Sequence, residues 1–87
     1  MNRPPAALAA RFQQRMAHDL AAMRGGQPSG PAFELMVHQL TGMAGMYGFA
    51  EVGRMAAIVD AQIVEGAVRQ DDLAALVTAL ETALRRD

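Results

Sequence analysis

This 87-residue sequence predicts an all-α fold, an antiparallel up-down four-helix bundle, and three observations carry that prediction. Ala, Leu, Met, Arg and Glu, residues that helices accommodate well, dominate the chain, whereas aromatics make up 5% of it. Apolar residues recur at steps of three and four along four segments, and no segment alternates with the period of two that a half-buried strand requires. Glycine and proline clusters separate the segments.

The first helix runs from about 4 to 24, with Leu8, Phe12, Met16, Leu20 and Met23 on the core side and Arg11, Gln14, Arg15 and His18 on the other. It stops at the breaker Gly25-Gly26-Gln27-Pro28-Ser29-Gly30, the longest connection, after which Pro31 suits the first position of a helix. The second helix spans about 31–47 and ends at Gly48, a natural left-handed cap. A tight hairpin leads into the third, about 49–65, whose core stripe is Val52, Met55, Ala56, Val59 and Ile63, with Arg54, Ala61 and Glu65 facing away. Gly66 closes it. Asp71 or Asp72 can cap the fourth helix, about 71–86, where Leu73, Leu76, Val77, Leu80 and Leu84 form a seam and Arg85 and Arg86 suit the C-terminal dipole. Four such stripes can be buried only against one another, so residues 1–87 are expected to form one domain.

Size and charge narrow the function classes. A chain this short builds one modest core and no deep substrate cavity, which argues against a conventional enzyme with its own nucleotide site. All eight basic residues are Arg, scattered among nine acids for a net charge of -1, so no field forms that would hold nucleic acid. With no Cys there is neither a disulfide framework nor a zinc finger. No secretory h-region follows Met1, and charged or polar residues interrupt every apolar stretch well short of a membrane span. The expectation is a cytoplasmic protein that does not engage membranes, and nothing in the pattern demands a dimer.

The second helix carries the most informative pattern. At about 100° per residue, Phe33, Met36, Val37, Leu40, Met43, Ala44 and Tyr47 form a core stripe almost opposite His38, which therefore faces solvent. Around the histidine lie Glu34, Thr41, Gly42 and Gly45, with Gln39 next in sequence and Leu35 and Met46 on the flank. A glycine inside a helix costs about 0.5–1 kcal/mol relative to Ala, so two of them on an exposed face imply that open space is needed beside the imidazole. Near neutral pH an exposed His is largely unprotonated and nucleophilic, able to react with an already activated phosphoryl donor.

The run His38-Gln39-Leu40-Thr41-Gly42-Met43-Ala44-Gly45-Met46-Tyr47-Gly48 resembles the signature of histidine phosphotransfer (HPt) domains, H-x-L-[KR]-G-x-A-x-x-x-G. His38, Leu40, Gly42, Ala44 and Gly48 fit it without an insertion, and Thr41 stands where the pattern has Lys or Arg. The resemblance extends to the whole chain, since HPt domains are helical bundles with the acceptor histidine exposed on a core helix. It implies a phosphorelay intermediate of two-component signalling: His38 takes a phosphoryl group from a receiver-domain aspartate and passes it to another. The implied partners are response-regulator receiver domains and a hybrid sensor histidine kinase. No cofactor is implied for this chain, because the Mg2+ and the acidic pocket belong to the receiver. Gly42 and Gly45 would give access, Thr41, Gln39 and Glu34 would line the site, and Leu35 and Met46 would form the apolar docking ring. A cation for the phosphoryl group would have to come from Arg54 or from an arginine of the first helix.

Two other readings remain open. A non-catalytic helical adaptor would bind receivers or another protein through the same face, and a dimerisation bundle would use the Leu seam of the fourth helix. A metal-binding bundle fits poorly, because such sites project inward whereas His38 points out. His18 reads as a solvated surface residue, and the methionines at 16, 23, 36, 43 and 55 read as core filling. Ile58 and Val64 lie off the third helix's stripe.

Overall fold

Four helices make up most of residues 6–25 and 29–85, which the computed structural model describes: α1 (Ala6–Arg24), α2 (Gly30–Met43), α3 (Ala50–Glu65) and α4 (Gln70–Arg85). One 3-10 turn, Gly45–Tyr47, follows α2, and there is no strand among the described residues. The expected helix start at Pro4, the Gly26-Gln27-Pro28 part of the connection and Arg86 lie outside the described residues.

Left-handed glycines reverse the chain twice. At Gly48 (φ 86°) the amide of Phe49 donates to the Ala44 carbonyl at 2.9 Å and that of Gly48 to the Gly45 carbonyl at 3.2 Å. The same pair of bonds recurs at Gly66 (φ 81°), where Ala67 donates to Gln62 at 2.9 Å and Gly66 to Ile63 at 3.0 Å. Both satisfy carbonyls that a helix end leaves orphaned, in a backbone conformation that a Cβ would strain.

The second helix is shorter than its pattern suggests. It ends at Met43 instead of 47, and the last turn tightens to 3-10, with Tyr47 donating to the Ala44 carbonyl at 3.2 Å. Gly42 and Gly45 weaken helical propensity there, and tightening of a final turn is a common way to satisfy its carbonyls. The fourth helix starts at Gln70, so Asp71 and Asp72 occupy its first turn instead of capping it. The Gln62 side chain braces this corner, donating to Asp72 at 2.5 Å and accepting from the Arg69 amide at 2.9 Å.

Cross-helix pairs fix the register. His38 lies against Asp60, and a Cβ at Gly53 would stand 3.6 Å from that of Ala44, so α2 and α3 run antiparallel about the turn at Phe49. Gln62 pairs with Asp72, while Val52 and Met55 share a groove with Ala79 and Ala83, so α4 is antiparallel to α3. The first helix packs against α4, Arg24 pairing with Glu81, and reaches the 3-10 turn after α2 by stacking Phe12 on Tyr47 (centroids 4.8 Å apart).

Phe12, Met16, Leu20 and Met23 of α1 are buried as their spacing predicts, but Leu8 is 42% exposed, on an open depression that Tyr47 also lines. On α4 the seam shifts: Leu73, Leu76 and Leu80 are buried with Ala79 and Ala83, while Val77 and Leu84 are half-buried on its flanks. Met36, Met43, Tyr47, Ile58 and Ile63 pack against the core from its rim. Asp19 is the exception to apolar burial, at 2% exposure within the α1 stripe. Burial pushes its carboxyl above the ordinary value of 3.8, against the charges of Arg15 and His18, which lower it.

Two outcomes follow for stability. Leu80→Ala, at a fully buried position, is expected to cost about 3 kcal/mol in urea unfolding, whereas Val64→Ala, at an exposed one, changes stability by less than about 0.5 kcal/mol. A group whose folded pKa is raised binds protons more tightly when folded, so its contribution to stability falls as pH rises from the unfolded value through the folded one. Asp19→Asn removes that loss and should gain on the wild type as pH climbs from about 4 toward neutrality. Urea midpoints across that range check it, and a gap that stays constant or closes contradicts the sign.

Candidate functional site

The backbone of α2 is anchored on either side of His38 by Val37 and Leu40, 0% and 1% exposed, so the histidine is held on a fixed face while its side chain stays 70% exposed. Its Nδ1 lies 3.3 Å from Oδ2 of Asp60, on the facing side of α3. A hydrogen bond from the ring to this carboxylate uses the Nδ1 proton, the tautomer in which Nε2 keeps its lone pair. The pair sets an exposed imidazole against a carboxylate that is itself only 24% exposed.

Space beside the ring is real. A Cβ built at Gly42 or Gly45 meets nothing within 4 Å, so the fold itself does not require glycine at either position. Gly53 of α3 differs: its Cβ would be 3.5 Å from the Gly45 amide nitrogen, in ordinary van der Waals contact with the turn that follows α2.

The polar residues divide by flank. Thr41 is half-buried, and its hydroxyl donates to the Val37 carbonyl at 3.0 Å, so that proton is spent on the backbone of its own helix. Glu34 is exposed one turn before the histidine, beside a shallow depression that Gly30 and Val68 also line. On the other flank Gln39 accepts a hydrogen bond from Nη2 of Arg15, so an arginine of α1 reaches this stretch of α2. The same guanidinium lies 3.5 Å from the buried Asp19 Oδ2, an ion-pair distance that leaves this oxygen without a hydrogen bond. Arg54 is not brought to the histidine. It is bound through Nε and Nη2 to Glu51, at 2.9 and 2.7 Å, and lines the groove between α3 and α4. That pairing holds the Glu51 carboxyl below its usual range and raises the Arg54 guanidinium.

Apolar side chains frame the pair. Leu35 is 56% and Met46 67% exposed, and Val64, one turn beyond Asp60, is 83% exposed. In the antiparallel register Leu35 and Val64 lie toward the same end of the pair, with Met46 toward the other.

Asp60 is the neighbour of His38 that periodicity alone does not single out. Its signal is symmetry: Asp60 follows Phe49 by as many residues as His38 precedes it, so a hairpin turning there sets them opposite. Asp19 gives no such signal, since an acid inside an apolar stripe reads as its edge.

Among the described residues no cluster of three or more His, Asp or Glu is placed to hold a metal ion, and no helix is long and apolar enough to cross a membrane. Comparison with family models, with curated proteins and with solved structures finds no match to this chain.

Proposed function

We propose that this chain is a histidine phosphotransfer module, a cytoplasmic phosphorelay intermediate in which His38 accepts a phosphoryl group from the aspartyl phosphate of one receiver domain and yields it to the aspartate of another. The observation that carries the reading is the exposed His38 imidazole, with Nδ1 on Asp60 and open space at Gly42 and Gly45. Nε2 attacks phosphorus, the N–P bond forms as the acyl O–P bond breaks, and the receiver's aspartate leaves as a carboxylate. The ring then bears a positive charge that the Nδ1 proton shares with Asp60, and the reverse transfer returns the lone pair to Nε2. Nothing in this sequence of steps calls for a nucleotide site, and the divalent ion belongs to the receiver.

Leu35, Met46 and Val64 suit the rim of such a docking face, since exposed apolar groups around a reactive centre exclude water once a partner sits on them. Gln39, Glu34 and Thr41 line it without supplying charge to the phosphoryl group directly. A non-catalytic adaptor that binds receivers through the same face is the second reading, favoured by Thr41, whose hydroxyl donates inward where the family's pattern has a cation.

Incubation with a panel of phosphorylated receiver domains, read by intact mass, tests both. Wild type should gain one acid-labile, base-stable phosphoryl group and His38→Gln none, with helical content unchanged. Tight receiver binding without any mass gain would leave the adaptor. Asp60→Asn should slow transfer about tenfold or more by releasing the ring's tautomer, with partial rescue by Asp60→Glu and a shifted pH profile. Gly42→Ala should raise stability by about 0.5–1 kcal/mol, because the position is helical and unobstructed, and Gly42→Leu should slow transfer by blocking the approach to Nε2.

A further inference from the structure

The site is electrically lopsided. Asp60 and Glu34 put acids on and just before the histidine, whereas the flank of α2 that carries Gln39, Met43 and Tyr47 is bordered by Arg11 and Arg15 of α1. These arginines stand one turn apart and line one open depression of about 200 Å³ with Leu8, Phe12, Met43 and Tyr47. Arg15 is held from two sides, by Gln39 and by Asp19, and Arg11 is exposed with no carboxylate paired to it among the described residues. Elsewhere Arg54 and Arg24 are each engaged by a glutamate, Glu51 and Glu81, on other faces of the bundle. Arg11 and Arg15 thus bring positive charge to the flank of α2 that carries Gln39, the neighbour of His38 in sequence, and it lies beside an apolar floor.

We propose that the Arg11 and Arg15 flank of α1 is a docking element for a carboxylate-bearing surface of the protein that exchanges phosphoryl groups with His38, an assignment that rests on the transfer reading above. Charge complementarity names the occupant. A guanidinium braced by Asp19 and Gln39 presents its remaining N–H groups in a fixed orientation, suited to a carboxylate on a docked protein, and the unpaired Arg11 adds an attractive field one turn away. An acidic patch opposite this flank turns the partner so that its phospho-acceptor meets Nε2, while a like-charged surface is repelled. Rim charges of this kind act on encounter more than on chemistry, so their loss is read in KM and in salt sensitivity.

The test is single-turnover transfer from the phosphorylated receiver that labels wild type best, at low and at moderate salt, with Arg11→Glu, Arg15→Gln and Arg15→Lys. Arg11→Glu alters an exposed side chain with no carboxylate paired to it among the described residues, which keeps the test valid if the Arg15 variants are destabilised. The expected result is an apparent KM raised about tenfold by Arg11→Glu and severalfold by Arg15→Gln, with the maximal rate within about twofold, a weaker salt dependence, and partial recovery in Arg15→Lys. An unchanged KM and salt slope in Arg11→Glu overturns the proposal while leaving the carrier intact. A fall in the maximal rate at constant KM also overturns it, because the arginines would then act on the transferring group. Should wild type bind a receiver without being labelled, the transfer reading fails, and the flank is judged by whether that binding is salt-sensitive and weakened by Arg11→Glu. Absence of any receiver binding overturns both.

Discussion

The arrangement around His38 depends on one constraint, the antiparallel register of α2 against α3. A positive φ at Gly48 turns the chain, the bonds from Phe49 and Gly48 back to Ala44 and Gly45 lock the turn, and Gly53 packs next to it against Ala44 and Gly45. From that point outward the spacing is determined, and Asp60 arrives opposite His38 without needing any contact of its own to bring it there. Were the pairing to slip by one residue, Asp60 would turn by about 100° along α3 and the imidazole would lose its proton acceptor. The core stripes of both helices, with Val37, Ala44, Ala56 and Val59 fully buried, resist that slip because it would expose them.

The burial of Asp19 has a related logic. A carboxylate 2% exposed in a helix stripe is unfavourable taken alone, and the raised pKa is the measure of that cost. In exchange the side chain of Arg15 has an anchor on its own helix, one turn away, while its other end spans to Gln39. An arginine left free would sample many rotamers, and here two contacts restrict it. Local cost and local order at the α1–α2 boundary thus have one source.

Much of this was legible in the sequence. Helical steps of three and four place the core of α2 and the exposure of His38 directly, because a 3.6-residue period leaves no ambiguity when the apolar arc is broad and a single histidine lies opposite it. Gly48 and Gly66 mark their turns through the backbone conformation only glycine adopts freely. What the pattern misses depends on neighbours it does not encode. The end of α2 at Met43 is decided by competition between two hydrogen-bonding geometries over the same carbonyls, and Leu8 lies 42% exposed on an open depression beside Tyr47. Arg54 sits on a helical face that periodicity leaves free, yet its nearer acid, Glu51, engages it three residues away. Tertiary distance, not propensity, separates that arginine from Arg15.

The two kinds of long-range contact differ in how much chain they enclose. His38 and Asp60 are 22 residues apart, whereas Arg24 and Glu81 are 57 apart. The entropy of closing a loop grows with the logarithm of its length, which makes the second closure costlier by about 0.8 kcal/mol before any packing is counted. On loop entropy alone, the hairpin of α2 and α3 closes at lower cost than the docking of α1 onto α4. Imidazole and carboxylate both belong to that shorter closure, so their contact spans the hairpin without passing through α1.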